Sequence, residues 1–299
     1  MAPTVLTAGH VNWDVTLRVD RLPVADGEAT IRSQRQSSGG SAANVAAALA
    51  ALEVDTGLIG SVGDDDNGLL ARRGLESAGV SLSGLRVVEG AETAVKYLLV
   101  DDDGEVSILG NDGVNEAVRP ADLDADRIRA ADHVHLTSQR PETAATIASI
   151  ATEAGVGVSF DPGRRFGDRE YGETLEAADV VFVTEREAAA LADRDGADGG
   201  STDGERLVVV TSGADGAEIR RGDERYTHSG FDVDSVDTAG AGDAFAAGFL
   251  AIRLAGGGID RALEYANACG ALTASREGAR SAPTASAVEQ FLGERSPPS

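Results

Sequence analysis

The stretch Ser235–Phe249, SVDTAGAGDAFAAGF, sets four small residues, Ala239, Gly240, Ala241 and Gly242, directly before an acid, Asp243, and then passes at once into a helical apolar pattern. A helix N-terminus leaves backbone N–H groups unpaired and carries partial positive charge, so a glycine-bearing turn that opens a helix is a ready cradle for an anion. A carboxylate at the edge of such a cradle is placed to take a proton from a hydroxyl while the cradle stabilises charge on a group in transfer. That is a layout for phosphoryl transfer. Read alone, G-x-G-D is also an acid capping a helix after a tight turn.

A second stretch, GGSAANVAAALAAL from Gly39 to Leu52, is another glycine pair opening a helix, with Asn44 one turn in as a donor and acceptor suited to sugar hydroxyls. Its plain alternatives are a dinucleotide fingerprint or a tight turn. A P-loop is excluded, because that motif needs a lysine after its glycines and the only lysine, Lys96, follows AETAV. Neither cluster fits G-x-G-x-x-G, since the sixth position counted from Gly240 is Phe245. Dinucleotide oxidoreduction is therefore the weaker reading.

The chain has 299 residues, 42% of them hydrophobic, enough for a large α/β core. Its 26 Lys and Arg against 50 Asp and Glu give a formal charge of -24, which argues against nucleic acid and anionic membrane as partners. An anionic ligand then needs a local basic pocket. The acids are spread along the chain, as in GDDDNG and ADLDADRIRA, and suggest a salt-adapted cytoplasm: at about 1 M salt the Debye length is about 3 Å and self-repulsion is screened. A single cysteine, Cys269, leaves no internal disulfide, and no apolar run reaches a membrane span or follows a basic start. A cytoplasmic protein is expected.

Apolar runs TVLTAG, TGLIGSVG, HVHL, GVGVSF, DVVFV and RLVVVT alternate with helical segments such as PETAATIASIATEAG and EREAAALAD, which predicts a parallel sheet between helices. VTLRV, and AVKYLLV paired with VSIL across a turn at Asp103-Gly104, read as alternating ribbons forming a small separate sheet. GAEIRRGDERYTHS reads as a further hairpin, Gly240 to Leu292 as almost all helix, broken at GGG and at Pro283, and the acidic stretch DRDGADGGSTDGE as a surface loop.

GGSAANVAAALA near the start with DTAGAGDAFAAGF near the end resembles the paired signatures of the ribokinase-like, or PfkB, sugar kinase family. The resemblance runs from GHVNWDVTLRVDRLP through GSVGDDDNG and VDDDGEVSILGNDGVN to GAR and Pro283, leaving only the acidic loop around Asp198 without a counterpart. It implies one three-layer α/β/α unit over residues 1–299, with a central mostly parallel sheet and a small β-sheet lid from about 11–37 and 91–116. It also implies ATP as donor, Mg²⁺, a small-molecule sugar or sugar phosphate as acceptor, and a homodimer paired through lids.

Position by position, the resemblance makes Asp243 the catalytic base and the backbone of Ala239, Gly240, Ala241 and Gly242 the anion hole. Asn12, Asp14, Gly39, Gly40 and Asn44 match sugar-binding positions. Thr211, Gly213 and Gly216 of TSGADGA, with Asn267, match the adenine and ribose side. The family's Mg-associated N-x-x-E is half kept, with Glu187 present but Thr184 in place of asparagine. A ribokinase proper usually has a lysine after the glycine pair, where this chain has Ser41.

Lys96, on the lid ribbon at a position that faces substrate in the family, and Arg140, Arg164 and Arg165, following core strands, are together suited to a second phosphate or a carboxylate. The acceptor expected is one that already carries phosphate, as in a ribose-1-phosphate kinase. The plain alternative pairs these arginines with surface acids and lets Lys96 snorkel. A nucleoside kinase, or a sugar or nucleotide sensor that kept the fold without turnover, are the competing functions. His133 and His135 alternate on one strand without an evident third metal ligand, and His10 follows the first strand near the substrate side.

Overall fold

A computed structural model describes residues 4–103, 105–195, 206–276, 278 and 280–295. The acidic run beyond Asp195, the hairpin's Gly104 and Ala279 of GAR lie outside these described residues. The chain opens with β1 (Thr4–Ala8), then β2 (Asn12–Val19) and β3 (Ile31–Gly39), and enters α1 (Ser41–Ala51). There follow β4 (Asp55–Gly63), α2 (Asp66–Ser77), β5 (Ser81–Val88), β6 (Ala94–Val100), β7 (Val106–Gly110), α3 (Ala125–Arg129) and β8 (His133–Leu136). Next are α4 (Pro141–Glu153), β9 (Gly157–Phe160), α5 (Gly172–Ala177), β10 (Val180–Thr184), α6 (Glu185–Asp195) and β11 (Leu207–Thr211). The hairpin β12 (Ala217–Arg221) and β13 (Glu224–His228) precedes α7 (Ala241–Leu254), α8 (Ile259–Ala274) and α9 (Ala285–Arg295).

Nine strands form one sheet in the order β13-β12-β11-β10-β9-β8-β1-β4-β5, parallel from β11 through β5 and antiparallel at β12 and β13. Its central strands are apolar on both faces, as a sheet covered by helices on two sides must be. In β10, Val180 and Phe182 join a core with α1, α7, α8 and α9, while Val181 and Val183 join one with α3, α4, α5 and α6. One strand thus feeds two cores through its period of two.

The second sheet is the small separate one, β3-β2-β6-β7. The two ribbons read from the sequence join where β2 runs parallel to β6, pairing Asp14 with Lys96. The opposite face of this lid packs Trp13, Val15 and Val95 with Ala71 and Leu75 of α2. Two strands depart from the sequence reading. β3, inside the stretch of about 11–37 expected to carry lid strands, runs on to Gly39, and β5 is a sheet-edge strand that the apolar runs did not mark; both lack a steady apolar alternation.

Carboxylates crowd a surface of formal charge -24, so folding brings like charges together. Raising salt from about 0.1 M to about 1 M shortens the Debye length from about 10 Å to about 3 Å and removes most of that repulsion. The Tm measured by circular dichroism is expected to rise steadily across this range; a Tm independent of salt would count against the expectation.

Candidate active site

The parallel strands β1, β8, β9, β10 and β11 end on one side of the sheet, and the lid closes over those ends. Between them lies a cavity of ≈ 510 Å³ walled by residues from strand ends, from the lid and from the two glycine-led helix starts. This is the crevice at the carboxyl ends of the strands where open α/β sheets bind ligands.

At its floor, Gly240 takes φ 78, ψ -2, a left-handed conformation that glycine adopts without a Cβ penalty, and turns the chain into α7. Two of the four N–H groups expected in the anion hole are already used: Ala239 N–H donates to Asp237 Oδ1 (3.0 Å) and Ala241 N–H to the Thr238 carbonyl (3.2 Å). The first helical bond is Ala244 N–H to the Gly240 carbonyl (2.9 Å), so the N–H groups of Gly240, Gly242 and Asp243 have no partner among the described residues. The turn takes up the N–H groups of Ala239 and Ala241, and these three donors are left at the start of α7, where an anion could be received. The sequence expectation of four such amides could not tell which of them the turn itself consumes.

Asp243 stands half-buried on α7 and accepts from Asn44 Nδ2 at 2.8 Å, with Ser41 as a second side-chain donor. The two glycine-led helices therefore meet at one carboxylate. Burial pushes its pKa up to about 6, against the lowering pull of Asn44, Ser41 and Lys96. Asn44 Oδ1 and Asn12 Nδ2 are buried with no partner, while Asn12 Oδ1 accepts from Asn115 Nδ2 (2.6 Å). Unmatched buried polar atoms of this kind suit a hydroxylated ligand.

Asp14 and Lys96 face the cavity from adjacent lid strands. Burial raises Asp14 to about 6, with Lys96 and then Arg280 pulling the other way. A side chain on Gly39 would overlap the Asp14 carboxylate, so this glycine makes room for the acid from behind the cavity wall. Arg164 and Arg165 line the same cavity as Lys96. Arg165 Nη2 donates to both Asp112 oxygens at 2.9 Å, whereas Lys96 and Arg164 make no ion pair among the described residues.

The pfkB family carbohydrate kinase model matches residues 2–285. The chain is a PfkB-family carbohydrate kinase. It is 73% identical to the ATP-dependent ribose-1-phosphate kinase of Halopiger xanaduensis over 291 residues, 97% of this chain and 98% of that one. It is 27% identical to a nucleoside kinase of Methanothermobacter thermautotrophicus, covering 97% and 96% of the two chains. The structure of Arabidopsis thaliana ribokinase complexed with ribose and ATP matches at TM-score 0.84 and 26% identity, over 98% of this chain and 99% of that one.

The ribokinase-like three-layer architecture with its lid is thereby established, and with it transfer of a phosphoryl group to an alcohol. Among the described residues no helix is long and apolar enough to cross a membrane. Of the residues expected to form this kinase's site, Asn12, Asp14, Gly40, Asn44, Lys96, Arg164, Arg165, Glu187, Thr211, Ala239, Gly240, Gly242 and Asp243 line the one cavity.

Others do not reach it. Arg140 turns behind the wall, donating from Nε to the Glu116 carbonyl (3.0 Å) and pairing with Glu142 (3.5 Å). Glu116 draws in His10 and Arg169 as well, whose hydrogen bonds hold its carboxyl down at about 2. Only His10 of this group also lines the cavity. Asn267 is buried in α8, its Nδ2 donating to the Leu263 carbonyl at 2.8 Å. Gly213 and Gly216 lie in the turn after Thr211, outside the cavity wall. His133 and His135 both bond Ser159 Oγ at 2.8 Å inside the sheet, and burial holds them at about 4 and about 3.

Thr184 and Glu187 form a capping box on α6. The carboxylate Oε2 accepts from Thr184 N–H (2.8 Å) and Oγ1 (2.9 Å), and Glu187 N–H donates back to Thr184 Oγ1 (3.4 Å). Thr184 thus holds the acid at the cavity wall by a local bond that an S/T-x-x-E reading of the sequence would have found.

Asp161 was missed. It follows β9, accepts from Gly163 N–H at 2.9 Å, and is raised to about 7 by burial first and then by Asp243 and Glu187. Its folded form keeps a proton up to about pH 7, whereas the ordinary carboxyl releases it near 3.8, so ionisation increasingly opposes folding across that window. Asp161→Asn keeps an acceptor oxygen for Gly163 and removes the charge. The variant is expected to have a higher Tm than the parent at pH 8 and an equal one at pH 4; equal Tm values at both would place Asp161 in a well-solvated setting.

Proposed function

We propose that this kinase transfers the γ-phosphate of ATP to a hydroxyl of a sugar that already bears a phosphate, of the ribose 1-phosphate class. The observation that carries this reading is the cavity wall, where Lys96 and Arg164 present cationic groups with no ion-pair partner among the described residues. In a chain with 50 acids, unpaired cations at a ligand site favour a ligand that supplies the negative charge. The name of the relative that is 73% identical agrees.

In this reading Asn12, Asn44 and Asp14 bind sugar hydroxyls, and Asn44 and Ser41 orient the Asp243 carboxylate. Asp243 takes the proton of the attacking hydroxyl as the new O–P bond forms. The bond from the γ-phosphorus to the bridging oxygen breaks, and ADP carries that electron pair away. The N–H groups of Gly240, Gly242 and Asp243 receive the charge on the phosphoryl oxygens. The nucleotide lies toward Thr211 and the turn holding Gly213 and Gly216.

The donor set fits Mg²⁺ brought in by the nucleotide. Asp243 and Glu187 both lie close enough to Asp161 to raise its proton affinity, yet no cluster of three or more metal-binding side chains occurs among the described residues. Glu187, through the oxygen left over from the capping box, and Asp161 would hold the ion's water shell. Bound Mg²⁺ would neutralise the phosphates beside these carboxylates.

We further propose a homodimer formed through lids, consistent with Ile31, Tyr97, Val106 and Leu109 being more than 40% exposed on lid strands. The test of the acceptor is turnover in molar salt with ATP and Mg²⁺ across ribose, fructose, 2-keto-3-deoxygluconate, ribose 1-phosphate and nucleosides. The highest kcat/KM is expected with ribose 1-phosphate; preference for a nucleoside would transfer the reading to the nucleoside kinase alternative.

A further inference from the structure

The anion cradle is held in shape by a carboxylate that no catalytic role requires. Asp237 Oδ1 accepts from Ala239 N–H (3.0 Å), the turn that mimics a backbone bend two residues on. Its Oδ2 accepts from Gly278 N–H (3.0 Å) and from Arg35 Nη2 (2.8 Å). Val236 and Asp237 are fixed in addition by N–H bonds to the Ala274 carbonyl at the end of α8. Three separate parts of the chain therefore meet at Asp237, one residue before the turn that opens into Gly240.

Arg35 comes from the lid. It lies on β3 opposite Thr16, and Ser37 two residues later lies opposite Asp14. Directly paired residues and residues two apart share a face of a sheet, so Arg35 projects from the face that carries Asp14 and Lys96 over the cavity. Its guanidinium is one-third exposed and rests against Gly278, where φ is 98 and a Cβ would sit 3.4 Å from Nη1 and 3.5 Å from Cζ. A positive-φ glycine there gives the guanidinium a flat backbone to lie on.

We propose that Arg35 is a positioning residue for phosphoryl transfer: through Asp237 it locks the Ala239–Gly242 turn, and it does so from the lid strand next to the acceptor-binding Asp14. Arg35 does not line the cavity, so its effect reaches the reaction through the geometry of the Gly240, Gly242 and Asp243 donors.

The experiment is a double-mutant cycle of Arg35→Gln and Asp237→Asn, with Arg35→Lys as the conservative variant, on whichever sugar wild type turns over. Misplacing catalytic donors by a fraction of an ångström to 1 Å costs rate rather than binding, so kcat should fall about tenfold or more in each single variant while both KM values stay within about threefold. The double variant should lose little more than either single, and Arg35→Lys should recover part of kcat, with Tm unchanged from Arg35→Gln. A kcat within about twofold of wild type, losses that multiply, or a change confined to KM would overturn the proposal. A wrong acceptor shows differently, as an inactive wild type with that sugar.

Discussion

Asp243→Asn is expected to lower kcat by about 10³-fold, roughly 4 kcal/mol of barrier, with the acceptor and ATP KM values changed little. The amide keeps the shape of the carboxylate and an oxygen for Asn44 Nδ2, whose bond to Asp243 is 2.8 Å in the parent. What it loses is the ability to take the hydroxyl's proton. Because burial sets the Asp243 pKa at about 6, the group is ionised at neutral pH yet more basic than a solvated aspartate. The wild-type rate should therefore fall on its acid side near pH 6, and that limb should be missing from the residual activity of the variant. Asp161, near 7 in the same cavity, broadens the titration, since interacting carboxyls give apparent values that belong to the set. A variant retaining a tenth of the wild-type kcat would remove Asp243 from the role of base.

Most of the architecture could be read because the decisive elements carry local signals. The central strands are continuous apolar runs, as in VVFV of β10 and LVVV of β11, and the two site helices begin at glycine pairs or alternating glycines. β5 escaped, and β3 was covered only by the lid bounds that the family resemblance implies, because their exposed faces are polar and their partners, not their own periodicity, make them strands. The site followed the same rule. Asn12, Asp14, Asn44 and Asp243 sit within motifs, but Asp161 is isolated in DPGRRF and becomes conspicuous only when the fold brings Asp243 and Glu187 toward it. Arg140 looked equivalent to Arg164, since both follow strands; the nearby Glu116 carbonyl and Glu142 claim one and not the other. Which amides of the AGAG turn remain free depends on Asp237 and Thr238, whose bonds no spacing rule encodes.

Lys96→Ala should raise KM for ribose 1-phosphate by about 30-fold and for ribose by less than about threefold, since a charge-assisted hydrogen bond contributes about 1.5–3 kcal/mol. Lys96 is half-buried on β6 opposite Asp14, has no ion pair among the described residues, and lines the cavity that also holds Asp243. Its ammonium also lowers the pKa values of Asp14 and Asp243, so its loss should move the acid limb of the rate to higher pH. Lys96→Met retains the apolar stem beside Leu98 and separates charge from packing: it should reproduce the KM increase of Lys96→Ala. Arg164, exposed where it lines the cavity, is screened by the molar salt of the assay and should contribute less, a difference that widens as salt rises. If instead both acceptors suffer equally from Lys96→Ala, the lysine serves the sugar ring or the lid, and the acceptor's phosphate is bound elsewhere.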